Sequence, residues 1–422
     1  MKVCIIGAGS TYTPELIEGL IEKQNTLPVD ELYLMDIDER KLSIVGNLAK
    51  RMIEASGINC NVVLTMSYEE ALINASFVLV QIRVGKLPAR VLDEKIPLKY
   101  NLIGQETCGM GGLFKAFRTI PVMFQIAKLM EQYCPNAWLI NFSNPSGLVA
   151  QALLDNTLIK TIGLCNVPIN MIDGIKKRMN LPKAKIEYIG LNHFTYVTSI
   201  VDEGRDYLIE ALDAGVNSEA MKNIPVSGFT KKQVQAIGAI PSSYLEYYYF
   251  KDSKLAKLKA TEKTRGEVCI DLENQLLSLY ENQALHTKPE QLSKRGGARY
   301  SEVAISLLNA IYNDLQEVHV VNIMNKGALD FLNDNDVIEI SAVIGKDGAK
   351  PIKAKINNQH VIEYIQMMKA YERHAVKAAI SGDKAEALRA MVMNPLMNDL
   401  LTAEACFDEM VEAHRIYLPQ FK

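Results

Sequence analysis

Short apolar runs alternate with amphipathic stretches over the first 166 residues. The runs KVCIIGA (2–8), ELYLMDI (31–37), NVVLTM (61–66), ASFVLVQIR (75–83), AWLINFS (137–143) and TIGLCN (161–166) read as strands. Several are apolar at consecutive positions, which suits a parallel sheet covered by helices on both faces. Between the first two runs lies TPELIEGLIEK, with Thr13 as expected N-cap and Pro14 as first helical residue. Leu16, Ile17, Leu20 and Ile21 form its buried stripe. This rhythm predicts a Rossmann-like, doubly wound dinucleotide-binding domain over 1–166, in the architecture shared by lactate and malate dehydrogenases.

Beyond residue 166 the pattern changes. Residues 185–204 read as a hairpin or two strands, and 318–325 with 336–350 as a later antiparallel sheet whose GKDG forms a turn. Long helical patterns run from about 358 to 380 and from about 398 to the end. Residues 167–422 are therefore expected to form a mixed α+β domain that binds substrate and mediates oligomerisation, packed on the first.

Composition narrows the classes. The 422 residues are 48% hydrophobic and 23% charged, with a formal net charge of −3. Nothing in that balance points to nucleic acid or an anionic membrane as partner. No apolar run approaches the roughly 20 residues that span a bilayer, and the apolar N-terminus leads straight into a glycine turn, unlike a signal peptide. Seven scattered cysteines lack the paired spacing of a disulfide framework, so a reducing cytoplasm is expected.

Candidate chemistry collects at the ends of the predicted strands. GAGSTYTPEL (7–16) follows the first strand and opens the first helix. Gly7 permits the tight turn and Gly9 the close approach of a pyrophosphate. The amides that follow, through Ser10 and Thr11, favour negative charge. Tyr12 stands where the fingerprint usually has its third glycine. Asp36 ends the second strand, where a carboxylate accepts the adenosine ribose hydroxyls and repels a 2′-phosphate, so NAD is expected rather than NADP. Asp38 offers an alternative as helix cap. Arg83, Asn141 in the NFSNPSG segment, and Cys165 with Asn166 lie past three further strand ends and converge on the same crevice. Arg83 and Asn141 are taken as cofactor contacts.

Cys165 and His193 stand 28 positions apart, and each has an ordinary role as a core residue. Spacing alone makes no metal signature of them. The glycine-rich LIGQETCGMGG (102–112) reads as a substrate-facing loop, and Arg295 in SKRGGARYS as a group suited to a phosphate. IPSSYLEYYYF (240–250) reads as a helix with a tyrosine face.

Together GAGSTYTPEL, LIGQETCGMGG, INFSNPSG, GLCNVP, GLNHF and KRGGARYS, in this order, closely resemble the family 4 glycoside hydrolases, and among them those that cleave 6-phospho-β-glucosides. The motifs run from residue 1 to about 301, and the resemblance extends over the whole chain. It implies a divalent metal, usually Mn2+, on Cys165 and His193, although thiolate is not the donor that manganese prefers. It implies substrate contacts from Arg90, Asn144 and Arg295, the last near the 6-phosphate. The base is expected at Tyr244, with Tyr247 and Tyr248 as substitutes. Members acting on α-linked substrates tend to carry Asp after the cysteine; Asn166 here favours the β-linked group and would hydrogen-bond a sugar hydroxyl.

The implied reaction is oxidation at C3 by NAD, loss of the C2 proton, elimination of the aglycone, addition of water and re-reduction. Its logic is acidity: a C2–H becomes acidic only when C3 is a ketone. The substrate is then a phosphorylated disaccharide or glucoside, and the assembly a homodimer or homotetramer. The rival readings are a 2-hydroxy-acid dehydrogenase of the lactate/malate type, and an NAD-binding regulator without turnover.

Overall fold

A computed structural model describes residues 1–217, 228–295, 299–397 and 399–421. Six parallel strands form the first half: β1 (Lys2–Ile6), β2 (Glu31–Met35), β3 (Asn61–Thr65), β4 (Phe77–Val80), β5 (Trp138–Asn141) and β6 (Lys160–Gly163). Their spatial order, β3-β2-β1-β4-β5-β6, is that of a doubly wound dinucleotide-binding sheet. Val3, Cys4, Ile5, Val78, Leu79, Leu139 and Ile140 are all fully buried, which is why these runs are apolar without alternation. The strands stop one to three residues short of the apolar runs, and the residues left over, such as 81–83, become the crevice loops.

The second half supplies β7 (Lys185–Leu191), β8 (Phe194–Asp202), β9 (Arg205–Asp206), β10 (Ile240–Pro241), β11 (Glu317–Met324), β12 (Val337–Gly345) and β13 (Gly348–Pro351). β7 and β8 form the expected hairpin, with β10 and β9 both pairing with β8. The expected later sheet is not separate. β11 runs antiparallel to β6 through Asn322 opposite Gly163, and β12 and β13 follow it, so one nine-stranded sheet crosses residue 166. Gly163 makes the junction possible, since a Cβ there would lie 2.9 Å from that of Asn322 and 2.7 Å from Ser146 Oγ.

Three local expectations change. Thr13 is not the cap of the first helix (Thr13–Glu22); Tyr12 holds that position, and the Thr13 hydroxyl donates to Ala8 O at 2.8 Å instead. The tyrosine run is a 3₁₀ turn (Ser243–Leu245) followed by a single helical turn (Glu246–Tyr249), so its tyrosines point different ways. Gly109, Gly111 and Gly112 open the helix Gly109–Tyr133 rather than lying in a loop. The two long C-terminal helices are Gln359–Ser381 and Leu400–His414. Among the described residues no helix is long and apolar enough to cross a membrane.

Candidate active site

A cavity of about 580 Å³ opens at the carboxyl ends of β1, β2, β4 and β5. Its nucleotide end is built from the first turn. Gly7 has φ +86°, and a Cβ there would meet Gln81 O at 2.9 Å; one on Gly9 would meet Asp36 Oδ2 at the same distance. Only glycine keeps this cradle open. The Gly9 amide donates to Asp36 Oδ2 at 2.8 Å and the Asp38 amide to Oδ1 at 2.9 Å. Burial raises the pKa of Asp36 despite these bonds. Asp38 takes the capping role, accepting from Lys41 N, which leaves Asp36 facing the cavity. Ser10 also lines it.

Thr11 and Asn141 differ from their expected places. Thr11 is fully buried and its side chain and carbonyl accept from Arg295 and Tyr280. Asn141 is likewise fully buried. Its Nδ2 donates to Ser143 O at 3.0 Å and its Oδ1 accepts from Ser143 N at 2.9 Å, so it shapes the loop that presents Phe142, Ser143 and Asn144 to the cavity. Arg295, expected near a 6-phosphate, lines the cavity where Thr11 and the Tyr12 ring of the first turn hold it.

The sugar end centres on a carboxylate that sequence reasoning passed over. Glu106 pairs with Arg83, with Arg90 Nη1 at 3.0 Å and with Lys115 Nζ at 3.0 Å. Burial alone would raise its pKa, but the three cations hold it well below the usual carboxylate range. Burial pushes the Lys115 ammonium down to about 7. Arg90 is fixed further by Glu94 at 2.8 Å. Two glycines flanking Glu106 permit this arrangement, because a Cβ on Gly104 would lie 1.9 Å from Glu94 O and one on Gly111, in the first turn of the following helix, 2.3 Å from Gln105 O. Two signals in the sequence mark the cluster. Glu106 is the acid of a glycine-rich loop, and Lys115 is a lone cation inside the apolar GGLFKAF, where a charge is rarely buried unless paired.

Asn144, Asn166, His193 and Tyr244 complete this end. His193 sits in the turn between β7 and β8 with φ 64°. Its ring stacks on Tyr244, with centroids 4.0 Å apart and planes 19° from parallel. Burial, then the Lys115 charge, pushes the imidazole down to about 3, so it is neutral, and its Nδ1 is buried without a partner. Cys165 is buried beside Asn166, and its Sγ accepts from Val167 N at 3.5 Å. Burial and then Glu339 push its thiol well above the ordinary range. Tyr244 is raised in the same way, by burial and then by Cys108 and Cys165. Tyr248 turns away onto Phe194, Tyr247 lies against Lys254 and Tyr249 against His360, so Tyr244 alone of the four lines the cavity.

The donor set bears on both a metal and a dinucleotide. Among the described residues no group of three or more His, Cys, Asp or Glu is placed to hold an ion. Cys165 is not among the residues lining the cavity, but it acts on Tyr244, the ring on which His193 stacks, and a neutral imidazole with an unpartnered nitrogen fits a divalent ion that takes its other ligands from substrate and water. The glycine cradle and Asp36 fit a dinucleotide.

The model for family 4 glycosyl hydrolases matches residues 2–181, and that for their C-terminal domain residues 188–397. The chain is 45% identical to a probable 6-phospho-β-glucosidase of Bacillus subtilis, covering 100% of this chain and 98% of that one. It is 40% identical to the 6-phospho-β-glucosidase of Escherichia coli, covering 100% and 97%. The 6-phospho-β-glucosidase of Thermotoga maritima, solved with manganese, NAD+ and glucose-6-phosphate, superposes with a TM-score of 0.90 at 31% identity over 99% of both chains.

Proposed function

The chain belongs to the family 4 glycosyl hydrolases, and on that premise we propose that it hydrolyses 6-phospho-β-glucosides, such as cellobiose 6-phosphate, to glucose 6-phosphate and an aglycone with NAD and Mn2+ as cofactors. The observation that carries this reading is one continuous cavity with a dinucleotide cradle at one end and the His193–Tyr244 stack at the other. Family membership sets aside the hydroxy-acid dehydrogenase and the inert regulator.

Gly7, Gly9 and Ser10 receive the phosphates of NAD, and Asp36 the adenosine ribose. Cys165 and His193 would hold the metal. When bound, NAD+ would supply a reversible hydride acceptor for C3, and the metal a Lewis acid for the sugar oxygens that would also favour ionisation of a nearby phenol. Tyr244 is the group that takes the proton from C2, and the stack on His193 fixes where its ring stands. Arg90, Asn144 and Asn166 orient the sugar through its oxygens. Arg83 reaches the cavity between cradle and sugar while anchored on Glu106. Asn166 cannot donate a proton as a carboxylic acid would, which fits the β-linked substrate.

The reading extends to a homodimer or homotetramer in the cytoplasm. Seven free cysteines support the compartment, and sedimentation would test the assembly.

An assay of a chromogenic 6-phospho-β-glucoside, on protein stripped of dinucleotide and metal, tests the whole. Activity should return only when NAD+ and Mn2+ are both added. Full activity in the stripped protein would refute the reading.

A further inference from the structure

The dinucleotide fingerprint departs from its usual form at Tyr12, and the structure gives that departure a use. Arg295 ends the 3₁₀ segment Glu290–Arg295 and lines the cavity while only 9% exposed. Its guanidinium lies 4.8 Å from the centre of the Tyr12 ring, and Nη1 donates to the Thr11 hydroxyl. Its carbonyl accepts from Arg265 Nη2 at 2.7 Å, which anchors the backbone. Nη2 stands 3.7 Å from Glu273 Oε2, too far for a hydrogen bond, and Glu273 is itself engaged by Lys41.

These contacts hold the guanidinium against residues 11 and 12, where the first helix begins and its dipole favours an anion. The side-chain partners of Arg295, Thr11 and Glu273, both belong to the nucleotide end: Glu273 through Lys41, whose Cβ abuts Gly9. With one Nη1 hydrogen given to Thr11 and no hydrogen bond made to Glu273, the guanidinium resting on the Tyr12 ring keeps further N–H groups that can donate to phosphate oxygens. We propose that Arg295 binds the pyrophosphate of the dinucleotide, with Tyr12 as the ring that holds its guanidinium in place. The missing third glycine and the distant arginine are then two halves of one device. This rests on the reading of the protein as NAD-dependent, and moves Arg295 from the sugar phosphate to the cofactor.

Calorimetric titration of metal-free, sugar-free protein with NAD+, ADP-ribose and adenosine tests it. In Arg295→Ala the Kd for NAD+ and for ADP-ribose should rise about tenfold to a hundredfold, with adenosine unchanged. Arg295→Lys should recover part of the loss, and Tyr12→Leu should lose affinity in the same order but by less. The proposal is overturned if Arg295→Ala binds NAD+ and ADP-ribose as the wild type does. It is equally overturned if the loss falls instead on glucose 6-phosphate titrated into NAD-saturated protein. Should Arg295→Ala not fold, the other two variants decide: both must weaken ADP-ribose and spare adenosine, and wild-type affinity in both refutes the proposal. Wild-type protein that binds no NAD+ would overturn the functional reading itself, and this inference with it.

Discussion

The imidazole of His193 lies face to face with the phenol of Tyr244, 4.0 Å between ring centres. The proposed metal donor and the proposed base are therefore one packed unit, supplied by a hairpin turn and a 3₁₀ turn far apart in sequence. A cation brought to His193 is automatically a cation beside Tyr244. This couples the binding of metal to the ionisation of the phenol through position alone.

Tyr244→Phe keeps the stack and removes the proton acceptor. Turnover should fall on the order of a hundredfold to ten-thousandfold, while Mn2+ affinity holds. Solvent deuterium at C2 of the product, read by NMR, should disappear. Persistent exchange at C2 would move the base elsewhere.

Cys165→Ser replaces a thiol by a poorer ligand of similar shape. Mn2+ affinity should drop by about a hundredfold or more, since even the outer partners of metal ligands are worth about tenfold to a hundredfold. Titration of the metal into apoprotein measures it directly, and an unaltered Kd would remove Cys165 from the metal site.

Asp36→Asn removes the charge that faces a 2′-phosphate. NAD+ should activate about tenfold less well, and the preference for NAD+ over NADP+ should narrow. Activation curves for the two dinucleotides give the ratio. An undiminished preference would assign the discrimination to another group.

Glu106→Gln leaves Arg83, Arg90 and Lys115 facing one another in a buried site. Loss of one partner from such a cluster costs about 3–5 kcal/mol, to be read from urea denaturation. Adding Lys115→Met should restore part of that stability by removing one uncompensated charge. A double variant no more stable than Glu106→Gln would show that repulsion is not the cause.

Asp93 lies wholly buried with Arg118, at 2.6 and 2.9 Å, and His414 Nε2 at 3.0 Å. Burial works to raise its pKa, but Arg118 and His414 together keep it below the ordinary value. A carboxyl so depressed adds stability that is fully present above pH about 4 and is lost as pH falls below that. Asp93→Asn should therefore be less stable than wild type at pH 7, by about 3–5 kcal/mol, with the gap closing in acid. Denaturation midpoints at pH 7 and pH 3 check the sign.

The parallel sheet was legible because burial on both faces forces apolar runs, and residues such as Val78, Leu79 and Val80 in β4 have no solvent side to report. The strand-tip residues could be read for the same reason, since topology alone brings Gly7, Asp36, Arg83 and Asn144 to one edge. Contacts that depend on side-chain direction were not. Asn141 precedes Asn144 by one turn of loop, yet only the structure shows that the first is consumed internally and the second faces the cavity. Glu106 was missed because its meaning comes from three cations that lie 9 to 23 positions away. The docking of β11 on β6 rests on a single residue pair across 159 positions, which no periodicity encodes.

That docking has a consequence for how the chain is made. Until residues 317–324 have left the ribosome, β6 is an open edge with the strand tip that carries Cys165 beside it, and such edges recruit foreign strands. The sheet that the first half begins is finished only by strands of the second. Synthesis that halts between the two should yield aggregates rather than a small folded dinucleotide binder, and the enzyme's two chemistries are thereby acquired together or not at all.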